Sequence, residues 1–186
     1  MRVFTRPAFL TPGDCGRIRA AMDLARREPG EVLGAATTQR DDIRRVSSLE
    51  VEEDVIAFVE GRLDAARADI AGFFGVELVS REGSGFLRYS AGGFYAPHRD
   101  RGDVPAWPDA VRRQAAVVLF LSDSRDAVPG GAFSGGVLRL FVDAAEPVIV
   151  APREGLLVAF PAAALHEVTP VTSGTRDAIV DWFYGA

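Results

Sequence analysis

The chain of 186 residues contains no lysine, a single cysteine and two histidines. All 21 of its basic residues are arginine, so any fixed cation in a binding site must be an arginine side chain. Because Cys15 has no second cysteine to pair with, an intrachain disulfide and a thiolate-based zinc site are both excluded. A metal site in this chain would therefore depend on His98, His166 and carboxylates.

Long apolar runs are also absent. The longest, AAVVLFL, is far shorter than the roughly 20 residues that a membrane-spanning helix needs. The N-terminal sequence MRVFTRPAFLTPGDCG lacks the apolar segment of a signal peptide, so we expect a cytoplasmic protein. The net charge of −5 argues against nucleic acid and anionic membranes as partners, since proteins that bind polyanions usually have a basic surface. No pattern in the sequence predicts an oligomeric state.

The length and composition predict one folded domain that covers residues 1–186. Hydrophobic residues make up 48% of the chain and charged residues 25%, which is typical of a globular protein with a buried core. Within this domain we expect residues 1–75 to form an N-terminal helical support. We expect residues 76–186 to form the core that carries the functional site.

Two helices are predicted in the N-terminal part. The first begins with Thr11 as N-cap and Pro12 at the first helical position, and we expect Pro29-Gly30 to end it. The second covers residues 51–74, where apolar residues recur at spacings of three and four. Residues 34–50 between them have no clear period and predict a loop or an irregular strand.

From residue 76 onward the chain consists of short apolar runs separated by Gly, Pro or Asp. About eight strands are predicted, in the segments VELVS, GFLRYS, AAVVLFLSD, GGVLRLFVD, PVIVA, GLLVAF, ALHEV and RDAIVDWFYG. Many short strands at such spacing favour a closed or double-sheet antiparallel fold, such as a jelly roll. The fold class is therefore mainly β with N-terminal helices.

A candidate metal site is formed by His98, Asp100 and His166. His98 and Asp100 are two residues apart in GGFYAPHRDRG, so in an extended segment both side chains leave the same face. His166 follows in ALHEVTPV, in another predicted strand. Two imidazoles and one carboxylate are the ligands of the non-haem Fe(II) oxygenases, in which three coordination positions stay open. Because zinc hydrolases can use similar ligands, these three residues alone leave the metal undecided.

The sequence after His166 favours an Fe(II) oxygenase over a zinc hydrolase. HEVTPVTSGTR places Pro170, Gly174 and Arg176 behind the histidine, and YSAGGFYAPHRD places Tyr89 and Tyr95 before His98. Over about residues 85–184 the chain thereby resembles the Fe(II)- and 2-oxoglutarate-dependent dioxygenases, in particular their prolyl 4-hydroxylase-like branch. It departs from that branch on the central strand, where Ala116 and Phe120 stand in place of a threonine and a tyrosine.

The resemblance implies a double-stranded β-helix, which is a cupin-like jelly roll, and a hydroxylase activity. It implies that His98, Asp100 and His166 bind Fe(II) and that Arg176 binds the far carboxylate of 2-oxoglutarate, with Tyr89 as a further contact. The implied reaction hydroxylates a C–H bond with O2 while 2-oxoglutarate is oxidatively decarboxylated to succinate and CO2. Fe(II), 2-oxoglutarate and O2 are thus the implied cofactors and cosubstrates, and ascorbate is allowed as a further one.

The substrate is left open by the sequence. A small molecule, a free amino acid, a peptide or a prolyl residue would each suit a hydroxylase of this size. The alternative function is a cupin-like protein that binds a metal or ligand without turnover. We expect residues 36–50 and the 99–114 loop to border the entrance of the site and to be mobile, and we expect Trp182 to belong to the core.

Overall fold

The computed structural model describes residues 2–30, 40–103, 107–141 and 146–186. Its first helix, α1 (Pro12–Leu24), begins as predicted, with the Thr11 side chain and the Asp14 carboxylate forming a reciprocal capping box. Its end was predicted wrongly, because α1 stops at Leu24 and not at Pro29-Gly30. Ala25 already has an extended backbone, and residues Arg26–Pro29 pair with Ser47–Glu50. Their backbone groups therefore form hydrogen bonds between strands and not within a helix.

The second helix, α2 (Glu53–Phe74), agrees with the prediction to within two residues. It buries one face along its length, formed by Val55, Val59, Leu63, Ala66 and Ile70. Gly75 ends it in the left-handed conformation, with φ of 69°, and donates its backbone N–H to Ala71.

The strands are numbered in chain order from the N-terminus to the C-terminus. They are β1 (Phe4–Arg6), β2 (Arg26–Pro29), β3 (Arg44–Arg45), β4 (Ser47–Glu50), β5 (Ser80–Arg81), β6 (Gly85–Tyr89), β7 (Phe94–His98), β8 (Arg113–Phe120), β9 (Ser134–Gly135), β10 (Leu138–Phe141), β11 (Val148–Val150), β12 (Leu157–Pro161), β13 (Leu165–Val168), β14 (Val171–Ser173) and β15 (Arg176–Tyr184). A short 3-10 helix (Pro108–Arg112) precedes β8.

The strands form two main antiparallel sheets. The major sheet has the order β1-β12-β8-β15-β6-β4-β2, with β5 attached to β15, and the minor sheet has the order β11-β10-β13-β7-β3. A separate pair, β14-β9, lies beside them. Apart from β10 and β11, neighbouring strands are not consecutive in the chain, as expected for a jelly roll, so the predicted fold class is confirmed.

The major sheet separates two hydrophobic layers. Side chains on β8 alternate, so that Val117 and Leu119 pack with α1 and α2, while Ala116, Val118 and Phe120 face the interior between the sheets. The helices therefore cover the outer face of the major sheet. Its inner face is left for the interior in which the functional site lies.

The N-terminal residues also contribute strands, which was only partly foreseen. Strands β1, β2 and β4 extend the major sheet and β3 extends the minor one, whereas only Ser80 of the predicted strand VELVS is in a strand. The helices of the described part of the chain are too short or too polar to cross a membrane.

Candidate metal and cosubstrate site

The two histidines face each other across neighbouring strands of the minor sheet. His98 ends β7 and is directly opposite His166 of β13, with the ring centroids 4.1 Å apart. Asp100 follows two residues after His98, and its backbone N–H donates to the carbonyl of Ala162 at 3.0 Å. The pairing of β7 with β13 therefore brings together residues that are far apart in the sequence.

The donor atoms of the three side chains converge. Asp100 places one carboxylate oxygen 3.5 Å from His98 Nε2 and the other 3.4 Å from His166 Nε2. Two atoms bound to one metal at about 2.1 Å and at a right angle are about 3 Å apart, which is close to these separations. The residues present thus fit a metal ion with two imidazole ligands and one carboxylate ligand.

Backbone contacts select the nitrogen that each histidine offers. The Nδ1–H of His98 donates to the carbonyl of Ala96 at 2.8 Å, and the Nδ1–H of His166 donates to that of Ala164 at 3.0 Å. Each Nε2 is then the unprotonated nitrogen that can bind a metal. Both rings are oriented for this before any metal arrives.

The surroundings favour the metal-binding protonation states. Burial by itself would raise the pKa of Asp100, but His166 and His98 hold this pKa below its usual value. Burial lowers the pKa of His166, which favours the neutral imidazole. An ionised Asp100 is the form that binds a metal cation.

The three side chains lie in the wall of a cavity of about 620 Å³ between the two sheets. The wall includes four aromatic residues and several charged ones, namely Tyr89, Tyr95, Trp107, Trp182, Glu28, Arg44, Glu82 and Arg113. Tyr95 stacks on His98 with the ring centroids 3.4 Å apart, and burial raises its pKa to about 12, so it stays a neutral phenol. Such a cavity is large enough for a small ligand and one substrate side chain.

Arg176, the first residue of β15, lines the same cavity and is only 2% exposed. Its guanidinium carbon lies 4.8 Å from the centre of the Tyr89 ring and 5.2 Å from that of Phe120. Among the described residues, its Nε has no hydrogen-bond partner and no carboxylate forms an ion pair with it. Burial lowers its pKa, and a buried cation of this kind is stabilised when an anion binds beside it.

The structure therefore brings together all five residues singled out in the sequence. His98, Asp100 and His166 form one cluster, and Arg176 and Tyr89 are paired across β15 and β6 in the wall of the same cavity. Ala116 also lines this wall, and Phe120 contacts the arginine. The central-strand departures thus leave apolar groups beside the arginine, where a hydroxyl group would add a polar contact.

Arg113 was missed by the sequence reasoning. It is paired with Glu82, donates from one guanidinium nitrogen to the Asp100 carbonyl at 3.0 Å, and lies over the Trp182 ring at 4.0 Å. Trp182 is half-buried, packs on the core and also lines the cavity. No sequence pattern links these residues, because Glu82 is on a different strand connection 31 residues before Arg113.

The two segments expected at the entrance are described only in part. Residues 36–39 and 104–106 lie outside the described residues, and the mobility of both segments stays a prediction. In the described parts, Arg44 and Ser48 of the first segment and Trp107 and Arg113 of the second line the cavity. Both segments thus reach the site.

A model of the 2OG-Fe(II) oxygenase superfamily matches residues 84–184, which is more than half of the chain. The chain belongs to this superfamily. The match includes the histidine-aspartate cluster and Arg176, and it starts at the strand that carries Tyr89. The family uses Fe(II), 2-oxoglutarate and O2, and the resemblance noted in the sequence is confirmed.

Relatives and solved structures agree with this assignment. A PKHD-type hydroxylase of Xanthomonas axonopodis pv. citri is 30% identical over 187 residues, covering 95% of this chain and 75% of the relative. A PKHD-type hydroxylase of Nitrobacter winogradskyi is 28% identical, with 93% and 74% covered. A Pseudomonas putida prolyl-4-hydroxylase structure has 23% identity and a TM-score of 0.75, with 99% of this chain and 92% of the other covered.

A prolyl hydroxylase from Trichoplax adhaerens, solved with a hypoxia inducible factor peptide fragment, has the same fold. It is 18% identical with a TM-score of 0.79, covering 98% of this chain and 83% of the other. Together with the hydroxylase relatives, the family match identifies a 2-oxoglutarate-dependent dioxygenase of the prolyl 4-hydroxylase-like type.

Proposed function

We propose that this oxygenase hydroxylates a C–H bond of its substrate, with His98, Asp100 and His166 as the Fe(II) ligands. The observation that carries the proposal is the position of these ligands in one cavity with Arg176, a buried cation without a carboxylate partner among the described residues. When bound there, Fe(II) supplies the redox centre at which O2 is consumed and 2-oxoglutarate is converted to succinate and CO2.

The protein's own groups bind and orient the cosubstrate. The Arg176 guanidinium pairs with the far carboxylate of 2-oxoglutarate, because burial makes any unpaired charge there costly. The Tyr89 ring packs against that guanidinium, and its hydroxyl provides a second contact in the same wall. The apolar inner face of the major sheet, including Ala116 and Val118, excludes water from the bound acid.

The substrate enters on the side of the cavity lined by Trp107, Trp182 and Tyr95. Aromatic side chains suit an apolar ring or an aliphatic side chain, so a prolyl residue of a peptide or a free cyclic amino acid is the proposed substrate class. The hydroxylase relatives and the peptide-bound neighbour support this choice. A cytoplasmic location and a single-domain organisation over residues 1–186 stay predictions, and ascorbate is an optional reductant to be tested.

The test uses three variants and one matched control. His98→Ala, Asp100→Ala and His166→Ala should each abolish 2-oxoglutarate-dependent succinate formation while the melting profile stays cooperative, because they remove metal ligands and little core volume. Glu167→Ala removes a carboxylate next to His166 that is paired with exposed Arg139, so it should keep full turnover. Turnover that survives in any of the three ligand variants would contradict the proposal.

A further inference from the structure

Gly136 joins β9 to β10 directly behind the arginine of the cavity. Its φ is +61°, in the left-handed region, and its backbone N–H donates to the carbonyl of Pro170 at 3.1 Å. A Cβ atom at this position would lie 2.8 Å from Arg176 Cδ, 3.0 Å from Val171 Cγ2 and 3.2 Å from Phe133 Cε2. The Arg176 side chain therefore occupies the space that any larger residue at position 136 would need.

The Arg176 side chain has little room to move sideways. Tyr89 and Phe120 contact its guanidinium, and Phe133 and Val171 close the space beside Gly136, all of them fully or almost fully buried. Protein interiors are close-packed, so a group that is pushed moves toward open volume. The open volume next to Arg176 is the cavity that the guanidinium lines, on the side of His98, Asp100 and His166.

We propose that Gly136 sets the depth of Arg176 in the cavity and thereby selects the length of the 2-oxo acid. This inference rests on the proposed function, in which the acid spans from the metal ligands to the guanidinium. With the glycine, the arginine lies deep, and in this proposal that position leaves room for a five-carbon diacid. A larger residue at position 136 moves the guanidinium toward the metal ligands and favours a shorter diacid.

The test compares Gly136→Ala with Gly130→Ala. Gly130 also has a positive φ, +83°, but a Cβ there would meet no atom within 4 Å. Both substitutions carry the same kind of backbone strain, so they differ in the contact with Arg176. Each variant is loaded with Fe(II) without oxygen, and 2-oxoglutarate and the four-carbon oxaloacetate are titrated while the metal-to-ligand absorption is followed.

Gly136→Ala should bind 2-oxoglutarate about tenfold more weakly than Gly130→Ala, as expected when one methyl group overpacks a filled site. Oxaloacetate should lose less affinity, so the preference shifts toward the shorter acid. Metal affinity, measured by Co(II) absorption without any 2-oxo acid, should be equal in the two variants. Equal affinities of both variants for both acids would overturn the inference.

Val171→Ala provides a second test if Gly136→Ala does not fold. It removes the Cγ1 and Cγ2 carbons, of which Cγ2 faces the same space from the other side, and it leaves the left-handed backbone of Gly136 unchanged. The arginine can then move away from the metal ligands, so the affinity for the six-carbon 2-oxoadipate should rise relative to that for 2-oxoglutarate. An unchanged ratio of the two affinities would overturn the inference. If the parent protein itself binds no 2-oxoglutarate with Fe(II), the proposed function fails first and this inference with it.

Discussion

At the scale of single residues, Arg176 is the side chain on which cosubstrate binding depends. Removing one partner of a buried ion pair typically costs about 3–5 kcal/mol. Arg176→Ala should therefore abolish most 2-oxoglutarate binding while metal binding stays nearly unchanged. Arg176→Lys should be milder because the charge is retained, although the two-pronged contact is lost. The measurement is an anaerobic titration of 2-oxoglutarate into each Fe(II)-loaded variant, and parent-like binding by the alanine variant would contradict it.

The same scale shows which site residues the sequence could predict. His98, Asp100, His166 and Arg176 were predictable because their mutual spacing follows from a local extended segment and from a known family pattern. Arg113 and Glu82 were not, since their role depends on a contact between segments that no periodicity marks. Trp182 was assigned to the core because an isolated tryptophan in a strand usually packs there, and its second role appears only when the cavity is seen.

At the scale of elements, Arg113 connects the start of β8 to the loop that carries Asp100. It donates to the Asp100 carbonyl and is itself held by Glu82 and the Trp182 ring. Groups that orient a metal ligand commonly contribute about 10–100-fold to metal affinity. Arg113→Met should therefore weaken Co(II) binding by about this factor, since the methionine keeps volume but loses every donor.

Arg112→Met is the matched control for this prediction. Arg112 is the preceding residue, its side chain is 49% exposed, and it pairs with exposed Asp109. It should bind Co(II) like the parent protein. If Arg113→Met and Arg112→Met bound the metal equally well, the loop would be held by other contacts.

Elements were predictable where the pattern was local. The start of α1 and nearly all of α2 follow from capping residues and apolar spacing, whereas the end of α1 depends on β2 pairing with β4. Strand β3 has only two residues and pairs with β7 beside the site, so no alternation could mark it. Tertiary pairing, and not propensity, decides such short strands.

At the scale of the whole molecule, a buried ion-pair network joins α1 to the major sheet on the face opposite the cavity. Asp177 is fully buried and accepts two hydrogen bonds from Arg88, which also contacts Asp23, while Arg19 approaches Asp177 at 3.3 Å. Asp177→Ala leaves buried Arg88 without its main partner and should lower the free energy of unfolding by about 3–5 kcal/mol. Asp23→Ala removes an exposed carboxylate and should cost about 1 kcal/mol or less. Urea unfolding of both variants is the measurement, and equal losses would contradict the role of burial.

Ligand binding should stabilise the whole fold, because the metal and the 2-oxo acid both bind between the two sheets. A ligand present at about 100 times its dissociation constant adds about 2.7 kcal/mol to the free energy of unfolding. For a domain of this size each kcal/mol shifts the melting temperature by about 2–4 °C, so 2-oxoglutarate should raise it by about 5–10 °C. The shift should require a divalent metal, for which Mn(II) can replace Fe(II) without turnover. 2-Oxobutyrate lacks the far carboxylate that Arg176 would bind, so it should give a much smaller shift of the melting temperature. Equal shifts from the two acids would show that the buried arginine does not recognise the cosubstrate.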